Sequence, residues 1–379
     1  MEFRSKGHKM ILHFLFKSSF AEYAIKQFYD PEMQSEFVLV SDSSESISDL
    51  SRYTSVRIVN TLSADFHLLL QQLGAYKAIV MHGLFYPWQE SILREVPSNV
   101  KVAWVFWGGE IYSRKNLRSG YLSTATKRLK ILHDIKSCYN KLKISTKYEI
   151  PFDVLKRIDY CMTDVHEDFE FVKAYLGTDI KELWYNYYSI EETIGDLANK
   201  SVDGNDVLIG NSSSLECNHL DGFRAIKRKI SSRNRIIVPL SYGEPWLRNV
   251  ILKVGFRLFK KSFFPLIDFI PRDEYNKILQ GCCAIVMPHY RPQAFGNILT
   301  SMWLGSRVYL TERNHLLHFY NRIGLKVYTI EKDLVSSSLD CSDPSLIKDR
   351  ENNRRVLESL YSKEHMHIKN KEIVNILNS

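Results

Sequence analysis

The sequence predicts an α/β protein built from two doubly wound, Rossmann-like domains, and three observations support this prediction. A chain of 379 residues exceeds what one hydrophobic core usually serves, so two domains are expected. Short apolar runs alternate with helical patterns, which indicates parallel sheets with helical crossovers. The alternation stops at a polar stretch, residues 189–206, and then restarts, so this stretch is the predicted domain boundary.

The first predicted domain covers residues 1–200. Its strands are expected at residues 10–16, 37–41, 56–59, 78–83, 100–107, 160–163 and 183–188, because these runs are short and apolar. Its helices are expected at residues 20–29, 64–73, 88–94, 124–143 and 167–176. Basic residues precede the first run, but the run is short and contains His13, so it is interpreted as a strand and not as a signal peptide.

The second predicted domain covers residues 201–343. Its strands are expected at residues 207–209, 235–240, 266–270, 284–287, 307–310 and 326–330. Its helices are expected at residues 218–229, 246–255, 272–281, 297–304 and 315–323. The remaining residues, 344–379, are predicted to form charged helices that pack back across both domains.

The composition predicts a folded protein that is not an integral membrane protein. Hydrophobic content of 45% and charged content of 25% are typical of a folded soluble chain, and no run approaches the roughly 18 apolar residues of a membrane span. The six cysteines show no CxxC spacing, which favours reduced thiols and a cytoplasmic location.

Positive charge is concentrated in one segment of the chain. The net charge is +8, and residues 113–147 hold ten basic residues and one acid, a local charge of +9. An anionic membrane surface is the expected partner, and nucleic acid is not, since no nucleic-acid-binding signature accompanies the charge. A solvated helix face is the alternative. The candidate membrane-binding residues are Arg114, Lys115, Arg118, Lys127, Arg128 and Lys130.

The stretch at residues 284–305 is the strongest candidate site. A buried strand is followed by Pro288, by a polar loop and then by a helix that ends at Gly305. Ligands of open α/β sheets bind at such strand ends, and a helix N-terminus beside Arg291 suits a diphosphate. The alternative is an ordinary loop with a solvated arginine. The candidate donor-binding residues here are His289, Tyr290, Gln293, Phe295, Gly296 and Asn297, with Arg291 assigned a catalytic role.

Two further loops of the second domain follow strands and are expected to meet this one. The first contains Gly210, Asn211, Ser212, Ser213 and Ser214, whose N–H and O–H groups suit phosphate oxygens. The second contains Tyr242, Gly243 and Glu244, which suit a base and sugar hydroxyls. A serine-rich turn and a Gly-Glu-Pro turn are the respective structural alternatives.

In the first domain, Gly108 and Gly109 follow a predicted strand and precede Glu110 and Tyr112. A carboxylate at a strand end is a candidate general base for an acceptor hydroxyl, and His82 is its rival. A lone histidine is more often structural. Gly108, Gly109 and Tyr112 are the candidate acceptor-binding residues. Two such domains are expected to face a central cleft, the GT-B architecture of many nucleotide-sugar glycosyltransferases.

Other chemistries have little support in the sequence. There is no GxSxG, HExxH, Walker A or strand-linked GxGxxG motif. No acidic triplet with metal-ligand spacing appears, so neither a metal nor a cofactor is expected.

Four segments resemble a known family. These are VFWGGEIY, GNSSSLECNHLDGFRAIK, IIVPLSYGEPWLRNVIL and HYRPQAFGNILTSMWLGSRVYLTERN. They are similar to glycosyltransferase family 56, the 4-acetamido-4,6-dideoxy-galactose (Fuc4NAc) transferases of enterobacterial common antigen synthesis. The similarity extends from about residue 100 to about residue 330, and the three loops in this order carry it.

The resemblance implies a GT-B fold, a dTDP-linked amino-deoxy sugar as donor and an undecaprenyl-diphosphate-linked oligosaccharide as acceptor. It also implies a peripheral location on the cytoplasmic face of the inner membrane. In larger GT-B families a glutamate pair contacts the sugar and the ribose, and Gln293 and approximately Ser301 occupy those places here. This departure fits a deoxyribose, which lacks the 2′ hydroxyl.

The leading hypothesis is therefore a metal-independent glycosyltransferase that extends a lipid-linked glycan for enterobacterial common antigen or O-antigen. One alternative is a nucleotide-sugar epimerase of the same architecture. Another is a non-catalytic protein that binds polyanions or membranes. The sequence does not determine the donor sugar, the acceptor glycan, the linkage, the stereochemical outcome or the oligomeric state.

Overall fold

The structure is a computed structural model that describes residues 10–41, 56–139, 148–231, 233–336, 339 and 344–379. Its strands are β1 (Ile11–Phe16), β2 (Ser35–Ser41), β3 (Val56–Asn60), β4 (Ala78–His82), β5 (Lys101–Val105), β6 (Tyr160–Met162), β7 (Lys181–Leu183), β8 (Asp206–Ile209), β9 (Ile236–Pro239), β10 (Phe263–Leu266), β11 (Cys282–Met287), β12 (Arg307–Leu310) and β13 (Tyr328–Thr329).

Its α-helices are α1 (Ala21–Phe28), α2 (Ala64–Gln71), α3 (Pro87–Glu95), α4 (Gly109–Tyr112), α5 (Thr124–Tyr139), α6 (Phe152–Leu155), α7 (His166–Leu176), α8 (Ile190–Ile194), α9 (His219–Ile226), α10 (Pro245–Phe259), α11 (Arg272–Gln280), α12 (Phe295–Leu304), α13 (His315–Arg322), α14 (Asp333–Ser336), α15 (Ser345–Tyr361) and α16 (Lys363–Asn378).

Two parallel sheets organise the described chain. The first has the order β3-β2-β1-β4-β5-β6-β7, and the second has the order β10-β9-β8-β11-β12-β13. Each order reverses once, between β1 and β4 in the first sheet and between β8 and β11 in the second. The loops that follow these strands are where a doubly wound sheet binds its ligands.

The central strands are apolar along their whole length because helices cover both faces of a parallel sheet. Every residue of β1 and of β11 is buried, including the imidazole of His13. Continuous apolar runs, in place of alternating ones, are the signal that predicted these strands correctly.

The described chain divides into two compact units. The first unit contains residues 10–41, 56–111, 148–188 and 363–379, and the second contains residues 112–139, 189–231, 233–336, 339 and 344–362. The predicted division at residue 200, with a separate tail from residue 344, differs from this at the boundary, which lies at residue 189, and in two further segments. Residues 112–139 lie in the second unit, and α16 lies in the first.

Core packing explains the placement of these two segments. Leu122 and Leu129, around the start of α5, pack into the core of the second unit. Ile373, Val374 and Leu377 of α16 pack into the core of the first unit, against β1 and α1. The sequence indicates each helix but does not show which core its apolar residues join.

The predicted linker at residues 189–206 contains a helix. Ser189 accepts a hydrogen bond from the N–H of Glu192, and Glu192 in turn accepts one from the N–H of Ser189, a capping box that starts α8. This Ser-x-x-Glu signal was missed because α8 has only five residues. The main segment of the second unit therefore begins at Ser189, 12 residues before the predicted start at residue 201.

Two predicted strands are displaced in the structure. The strand expected at residues 266–270 is β10, which ends at Leu266 because Phe263 and Leu266 pair with Ile236 and Pro239 of β9. The strand expected at residues 183–188 is β7, which ends at Leu183. In both cases the apolar residues that follow the strand belong to a loop. Among the described residues, no helix is long and apolar enough to cross a membrane.

Candidate functional site

Three loops of the second unit meet at the carboxyl ends of β8, β9 and β11, as predicted. Ser213 and Gly243 form an isolated parallel bridge between the first and second loops. The N–H of Ser213 donates to Tyr242 O at 2.8 Å, and the N–H of Glu244 donates to Ser213 O at 3.0 Å. Backbone pairing therefore fixes the two loops against each other.

Gly243 is required for this close approach. Its φ of +112° lies in the left-handed region, and a Cβ atom there would lie 2.6 Å from the carbonyl carbon of Ser213. Any larger residue would push the two loops apart.

The third loop joins the other two through a chain of side chains. Gln293 Nε2 donates to the sulfur of Cys217 at 3.7 Å, and the Cys217 thiol donates to Asn211 Oδ1 at 3.2 Å. Asn211 Nδ2 donates to the Tyr242 hydroxyl at 3.0 Å. Residues from all three loops thus belong to one polar cluster.

Arg291 lies beside this cluster. Desolvation raises the pKa of Tyr242, and the positive charge of the nearby Arg291 guanidinium opposes this rise. Arg291 Nη1 donates to its neighbour Pro292 O at 3.0 Å, and its buried Nε has no hydrogen-bond partner among the described residues. The guanidinium therefore retains donors for an anion, the property that the predicted role requires.

The N-terminus of α12 adds backbone donors next to Arg291. The preceding residue, Ala294, has a left-handed φ of 63° and provides no side-chain cap. The first residues of α12 are Phe295, Gly296 and Asn297, all partly exposed. Asn297 Nδ2 donates to the Tyr275 hydroxyl at 3.0 Å, while the Phe295 ring packs against Tyr320 and Tyr361.

Two of the predicted phosphate-binding hydroxyls are instead structural. Ser213 is buried, and its Oγ donates to Tyr242 O at 2.8 Å. Ser212 is also buried and shares a 2.8 Å hydrogen bond with Ser214 Oγ. These hydroxyls satisfy each other and the neighbouring backbone, so Asn211 and Ser214 are the partly exposed side chains of the first loop. Gly210 has a φ of +67° and packs against His219.

His289 lies beneath the third loop and not on its surface. Its ring is fully buried, and neither ring nitrogen has a hydrogen-bond partner among the described residues. Burial, together with Arg291 and His219, keeps the pKa of His289 well below its ordinary value. The structure shows no exposed surface of this ring, so a direct donor contact by His289 stays a prediction. Ser301 is likewise fully buried and does not reach a ribose.

Tyr290 remains at the protein surface in a defined position. The guanidinium of Arg313 lies 4.1 Å above the centre of its ring, a cation–π contact. Arg313 Nη2 also donates to Gly120 O at 3.1 Å, which holds this pair in place.

Glu244 is held at one edge of the cluster. Its Oε1 accepts from Arg118 Nη2 at 2.9 Å, and its Oε2 accepts from Trp246 Nε1 at 2.7 Å. Arg118 Nε also donates to Glu216 Oε1 at 2.7 Å, so one guanidinium joins the first and second loops. Burial alone would raise the pKa of Glu216, but Arg118 and Arg291 hold it below its ordinary value.

In the first unit, Glu110 lies at the start of α4, directly after β5. Its Oε1 accepts from Trp104 Nε1 at 3.3 Å and from the N–H of Trp107 at 3.2 Å. The side chain is buried, and desolvation raises the pKa of Glu110 to about 7. A carboxyl group with this pKa suits general-base catalysis near neutral pH.

The predicted acceptor-binding residues around Glu110 differ in accessibility. Gly108 has a φ of +83°, which only glycine adopts easily, and Gly109 begins α4 close to the Phe85 ring. Tyr112 is fully buried, with its ring 4.9 Å from that of Tyr121. The structure shows no exposed surface of this ring, so acceptor binding by Tyr112 stays a prediction.

His82 belongs to a buried chain of hydrogen bonds. Its Nδ1 lies 2.9 Å from the Tyr187 hydroxyl, and its Nε2 lies 3.0 Å from His13 Nδ1. His13 Nε2 lies 3.2 Å from Ser35 Oγ, which donates to Met33 O at 3.0 Å.

Only one direction of donation fits this chain. The Ser35 hydroxyl proton is used on Met33 O, so His13 donates to Ser35 and accepts from His82. His82 then accepts from Tyr187, whose oxygen accepts from Trp107 Nε1 at 2.8 Å. Both nitrogens of His82 are thus occupied, and burial keeps its pKa well below the ordinary value. These contacts favour a structural role for His82, and its catalytic role stays a prediction.

The predicted membrane-binding residues separate into two groups. Arg114 is buried, and Arg118 binds Glu216 and Glu244, so neither side chain is available to a lipid surface. Lys115, Lys127 and Arg128 are exposed, and Lys130 is partly exposed. Of the four other basic residues of this segment, Lys136 is exposed, while Lys141, Lys143 and Lys147 lie outside the described residues. Within the part of the chain that the structure describes, no group of three His, Cys, Asp or Glu residues is placed to hold a metal ion.

Several residues of the two sites were not predicted. Arg118, Glu216, Cys217 and His219 support the donor loops, and the aromatic rings around Trp107 line the strand ends of the first unit. Trp107 lies 5.1 Å from the ring of Phe16, 4.8 Å from Phe20 and 5.6 Å from Phe85. A sequence signal existed for the rings, since β1 ends at Phe16, Phe85 comes three residues after β4, and Phe106 and Trp107 directly follow β5.

Comparison with solved structures shows the fold. A glycosyltransferase from Rickettsia africae superimposes with a TM-score of 0.65 at 11% identity, covering 98% of this chain and 99% of that one. The HepE protein of Anabaena, crystallised with UDP and glucose, gives a TM-score of 0.64 at 10% identity, with coverage of 98% and 99%. The sucrose-phosphate synthase of Thermosynechococcus elongatus gives 0.64 at 10% identity and the same coverage.

The match to a sequence family is more specific. No curated protein sequence matches this chain closely. The family model described as 4-alpha-L-fucosyltransferase, glycosyl transferase group 56, matches residues 140–348, more than half of the chain. Of the three classes that the sequence left open, this match and the shared GT-B fold support the transferase. The protein is therefore a GT-B glycosyltransferase that belongs to glycosyl transferase group 56.

Proposed function

We propose that the enzyme transfers a deoxyamino sugar of the Fuc4NAc type from dTDP to an undecaprenyl-diphosphate-linked oligosaccharide. The product would extend a surface polysaccharide of the enterobacterial common antigen or O-antigen type. The observation that carries the proposal is the meeting of three loops around Arg291. They supply a guanidinium, backbone amides and uncharged polar side chains for a nucleotide diphosphate.

The proposed roles follow from exposure and charge. Arg291 and the first turn of α12 hold the diphosphate and stabilise the charge that develops as the nucleotide leaves. Asn211 and Ser214 are the accessible polar groups of the first loop. The Tyr242 ring, 57% exposed, offers a flat surface to the base or sugar, and Glu244 is placed to accept hydrogen bonds from sugar hydroxyls.

Glu110 is the proposed general base for the acceptor hydroxyl, supported by the rise of its pKa to about 7. No metal ion is assigned a role in the proposed reaction, since Arg291 and the α12 amides supply the positive charge. The proposed location is the cytoplasmic face of the inner membrane, where a lipid-linked acceptor is reached by a peripheral enzyme.

The proposal is tested by product analysis with a panel of donors. Purified enzyme and a lipid-diphosphate-linked glycan are incubated with dTDP-Fuc4NAc, with GDP-fucose or with a UDP-sugar, and lipid products are measured by mass spectrometry. GDP-fucose is the important competitor, because the family description names fucosyl transfer. Elongation with the dTDP donor, unchanged by a metal chelator, supports the proposal. Elongation with GDP-fucose alone would contradict it.

A further inference from the structure

Helix α5 carries an exposed face whose centre is aliphatic and whose edges are cationic. Ile131, Leu132 and Ile135 are 57%, 65% and 63% exposed. Lys127, Arg128 and Lys136 are also exposed on this helix. Large aliphatic side chains rarely cluster on one exposed helix face unless that face meets a partner.

Helix geometry places these residues in one pattern. At about 100° per residue, Ile131, Ile135 and Leu132 lie within an arc of about 100°. Lys127 lies about 40° beyond one edge of the arc, and Lys136 lies about 40° beyond the other. Arg128 lies within the arc, one turn before Leu132, and Asp134, which is paired with Lys130, lies about 20° outside Lys127. The face is therefore an apolar strip with one cation on each side and a third at its N-terminal end.

The opposite face of α5 is fixed to the second unit. Leu129 packs against the hydrophobic core, and Thr126 is buried beside Ser123. The imidazole of His133 stacks on the indole of Trp246, with ring centres 4.0 Å apart and planes 7° apart. Docking on this side leaves the aliphatic strip directed away from the unit.

The charge pattern distinguishes between possible occupants. A second copy of the chain that docked by the same face would bring cations against cations, which disfavours a symmetric dimer. A nucleic acid would pair with the cations but would gain nothing from the aliphatic strip. A bilayer that contains anionic lipid matches both features, because its headgroups are negative and its acyl region is apolar.

We propose that α5 is an interfacial anchor, with Ile131, Leu132 and Ile135 inserted among the lipids of an anionic bilayer. The flanking cations contact the headgroups. The inference rests on the proposed function and deepens it, because it names the surface that brings the enzyme to its lipid-linked acceptor. It also replaces the predicted basic patch with a mixed surface, in which Arg114 and Arg118 have no part.

Vesicle flotation tests this proposal. The full-length enzyme is mixed with vesicles of phosphatidylcholine alone or with 30% phosphatidylglycerol, at low salt and at about 0.5 M salt. The test variant is I131S/L132S/I135S, and V335S/I347S/I368S is the matched control, because it removes three exposed aliphatic residues elsewhere. A third variant, K127Q/R128Q/K136Q, removes the cations only. Thermal unfolding of each variant shows that it is folded.

We expect the wild type and the matched control to float with the anionic vesicles to the same extent. The aliphatic variant should bind at least about tenfold more weakly, since burial of even one aliphatic side chain is worth about this factor. The cation variant should lose about fivefold per charge on anionic vesicles at low salt. Because the aliphatic contacts are not screened, about 0.5 M salt should weaken wild-type binding without abolishing it.

Two results would overturn the inference. One is equal flotation of the folded aliphatic variant and the wild type. The other is a wild type that does not float but forms a dimer that the aliphatic variant cannot form, which would make this face a contact between copies of the chain.

An activity assay separates this inference from the proposed function. With an acceptor embedded in vesicles, the aliphatic variant should lose transfer in proportion to its lost binding, while with a short-chain soluble acceptor it should match the wild type. Flotation that depends on α5 without any transfer from a dTDP-sugar would refute the proposed function and leave the anchor in place. Transfer to vesicle-embedded acceptor without dependence on α5 would refute the anchor alone.

Discussion

At the scale of single residues, Glu110 combines two properties that are normally in conflict. Its carboxyl group is buried between a backbone N–H and an indole N–H, and its pKa is raised to about 7. Burial of this kind weakens a protein when the group is charged, so it is usually kept where the group has a use. A conservative substitution separates the two effects.

Glu110→Gln should stabilise the enzyme above neutral pH while it lowers activity. The folded-state pKa lies above the ordinary 4.5, so wild-type stability falls as pH rises from about 4.5 to about 7, by roughly 3 kcal/mol. Gln keeps the acceptor oxygen and removes this fall. If Glu110 is the base, kcat/KM should decrease about 100-fold or more. Denaturant unfolding at pH 6 and pH 8 measures the stability change, and initial rates at the same pH values measure kcat/KM. Unchanged rates would show that Glu110 has only a structural role.

Arg291→Ala should lower kcat by roughly two orders of magnitude, the usual effect of removing one charge-stabilising donor. Arg291→Lys should recover part of the loss, because it keeps the charge but not the guanidinium fork. The control is Arg224→Ala, which removes an exposed arginine outside the loops. The kcat values of the wild type and the variants are compared at saturating donor concentration. A near-normal rate for Arg291→Ala would remove this residue from the mechanism.

His82→Leu should reduce stability and leave catalysis per folded molecule nearly unchanged. The substitution deprives the Tyr187 hydroxyl and His13 Nδ1 of their partners in a buried chain, at a cost of about 1–3 kcal/mol for each group. Thermal unfolding and the activity of the folded fraction measure the two effects. A stable variant that has lost its activity would restore His82 as a catalytic candidate.

At the scale of secondary-structure elements, the donor loops depend on a single ion-pair network. Arg118, in the segment between α4 and α5, binds Glu216 of the first loop and Glu244 of the second. Since Glu216 is buried, loss of its partner leaves an uncompensated charge beneath the loops.

Arg118→Met should destabilise the enzyme by about 3 kcal/mol and raise the KM for the donor, because the side-chain link between Glu216 and Glu244 is lost while the backbone bridge between Ser213 and Gly243 remains. The double variant R118M/E216Q should be less destabilised than R118M, since no buried charge remains. Lys253→Met, which removes an exposed cation of α10, should change stability by less than about 0.5 kcal/mol. Equal stability of R118M and the Lys253 control would show that the network contributes little.

Helix α5 has two roles, because one face packs on the core of the second unit and the other is the proposed membrane anchor. Its sequence has four cations and one acid between Thr124 and Tyr139, which predicts only a basic helix. The structure adds that the aliphatic residues of the same helix face outward, and the proposed anchor depends on that orientation. The Leu122 and Leu129 contacts that decide it lie in the core of the second unit.

At the scale of the whole molecule, two buried neutral histidines lie in the described part of each unit. Desolvation lowers the pKa of His13 and of His219 to about 3, and lowers the pKa of His82 and His289 well below 6.5. A neutral histidine in the folded state binds fewer protons than it does in the unfolded chain. The stability that these groups contribute is therefore complete above about pH 6.5 and is lost as pH falls below it.

The enzyme should thus become sharply less stable between pH 6.5 and pH 5, with each such histidine contributing about 1.4 kcal/mol per pH unit. The raised pKa of Glu110 makes stability increase as pH falls, which is the opposite effect, but Glu110 is one group and the buried histidines are four. Denaturant unfolding at half-unit steps of pH measures the slope. Proton NMR provides an independent check, because four of the 12 histidines should show no titration above pH 5. A flat stability profile over this range would contradict the assignment of neutral buried rings.

The sequence predicted the strands of both sheets, the loops that follow β8, β9 and β11, and the family. It could do so because these features are local: continuous apolar runs, glycines that allow left-handed backbone, and polar residues at strand ends. Gly243 is an example, since its neighbour Tyr242 and the preceding strand identify the turn without any knowledge of Ser213.

The roles of individual side chains depended on tertiary structure. Ser213, His289, Tyr112 and His82 all have the residue type that a site requires, yet each is buried, and the polar atoms of Ser213 and His82 form hydrogen bonds inside the protein. Exposure is set by what packs above a residue, and those neighbours are distant in sequence: Tyr187 for His82 and Tyr242 for Ser213. The assignment of α5 and α16 to opposite units has the same cause.

The chain by itself therefore determined the α/β fold, the order of its strands along the sequence and the chemistry of the donor loops, because hydrophobic pattern and backbone preference act between near neighbours. Tertiary structure alone decided which polar groups remain accessible, that Arg118 binds two loops and that the aliphatic residues of α5 face outward, because these depend on contacts between residues far apart in the chain.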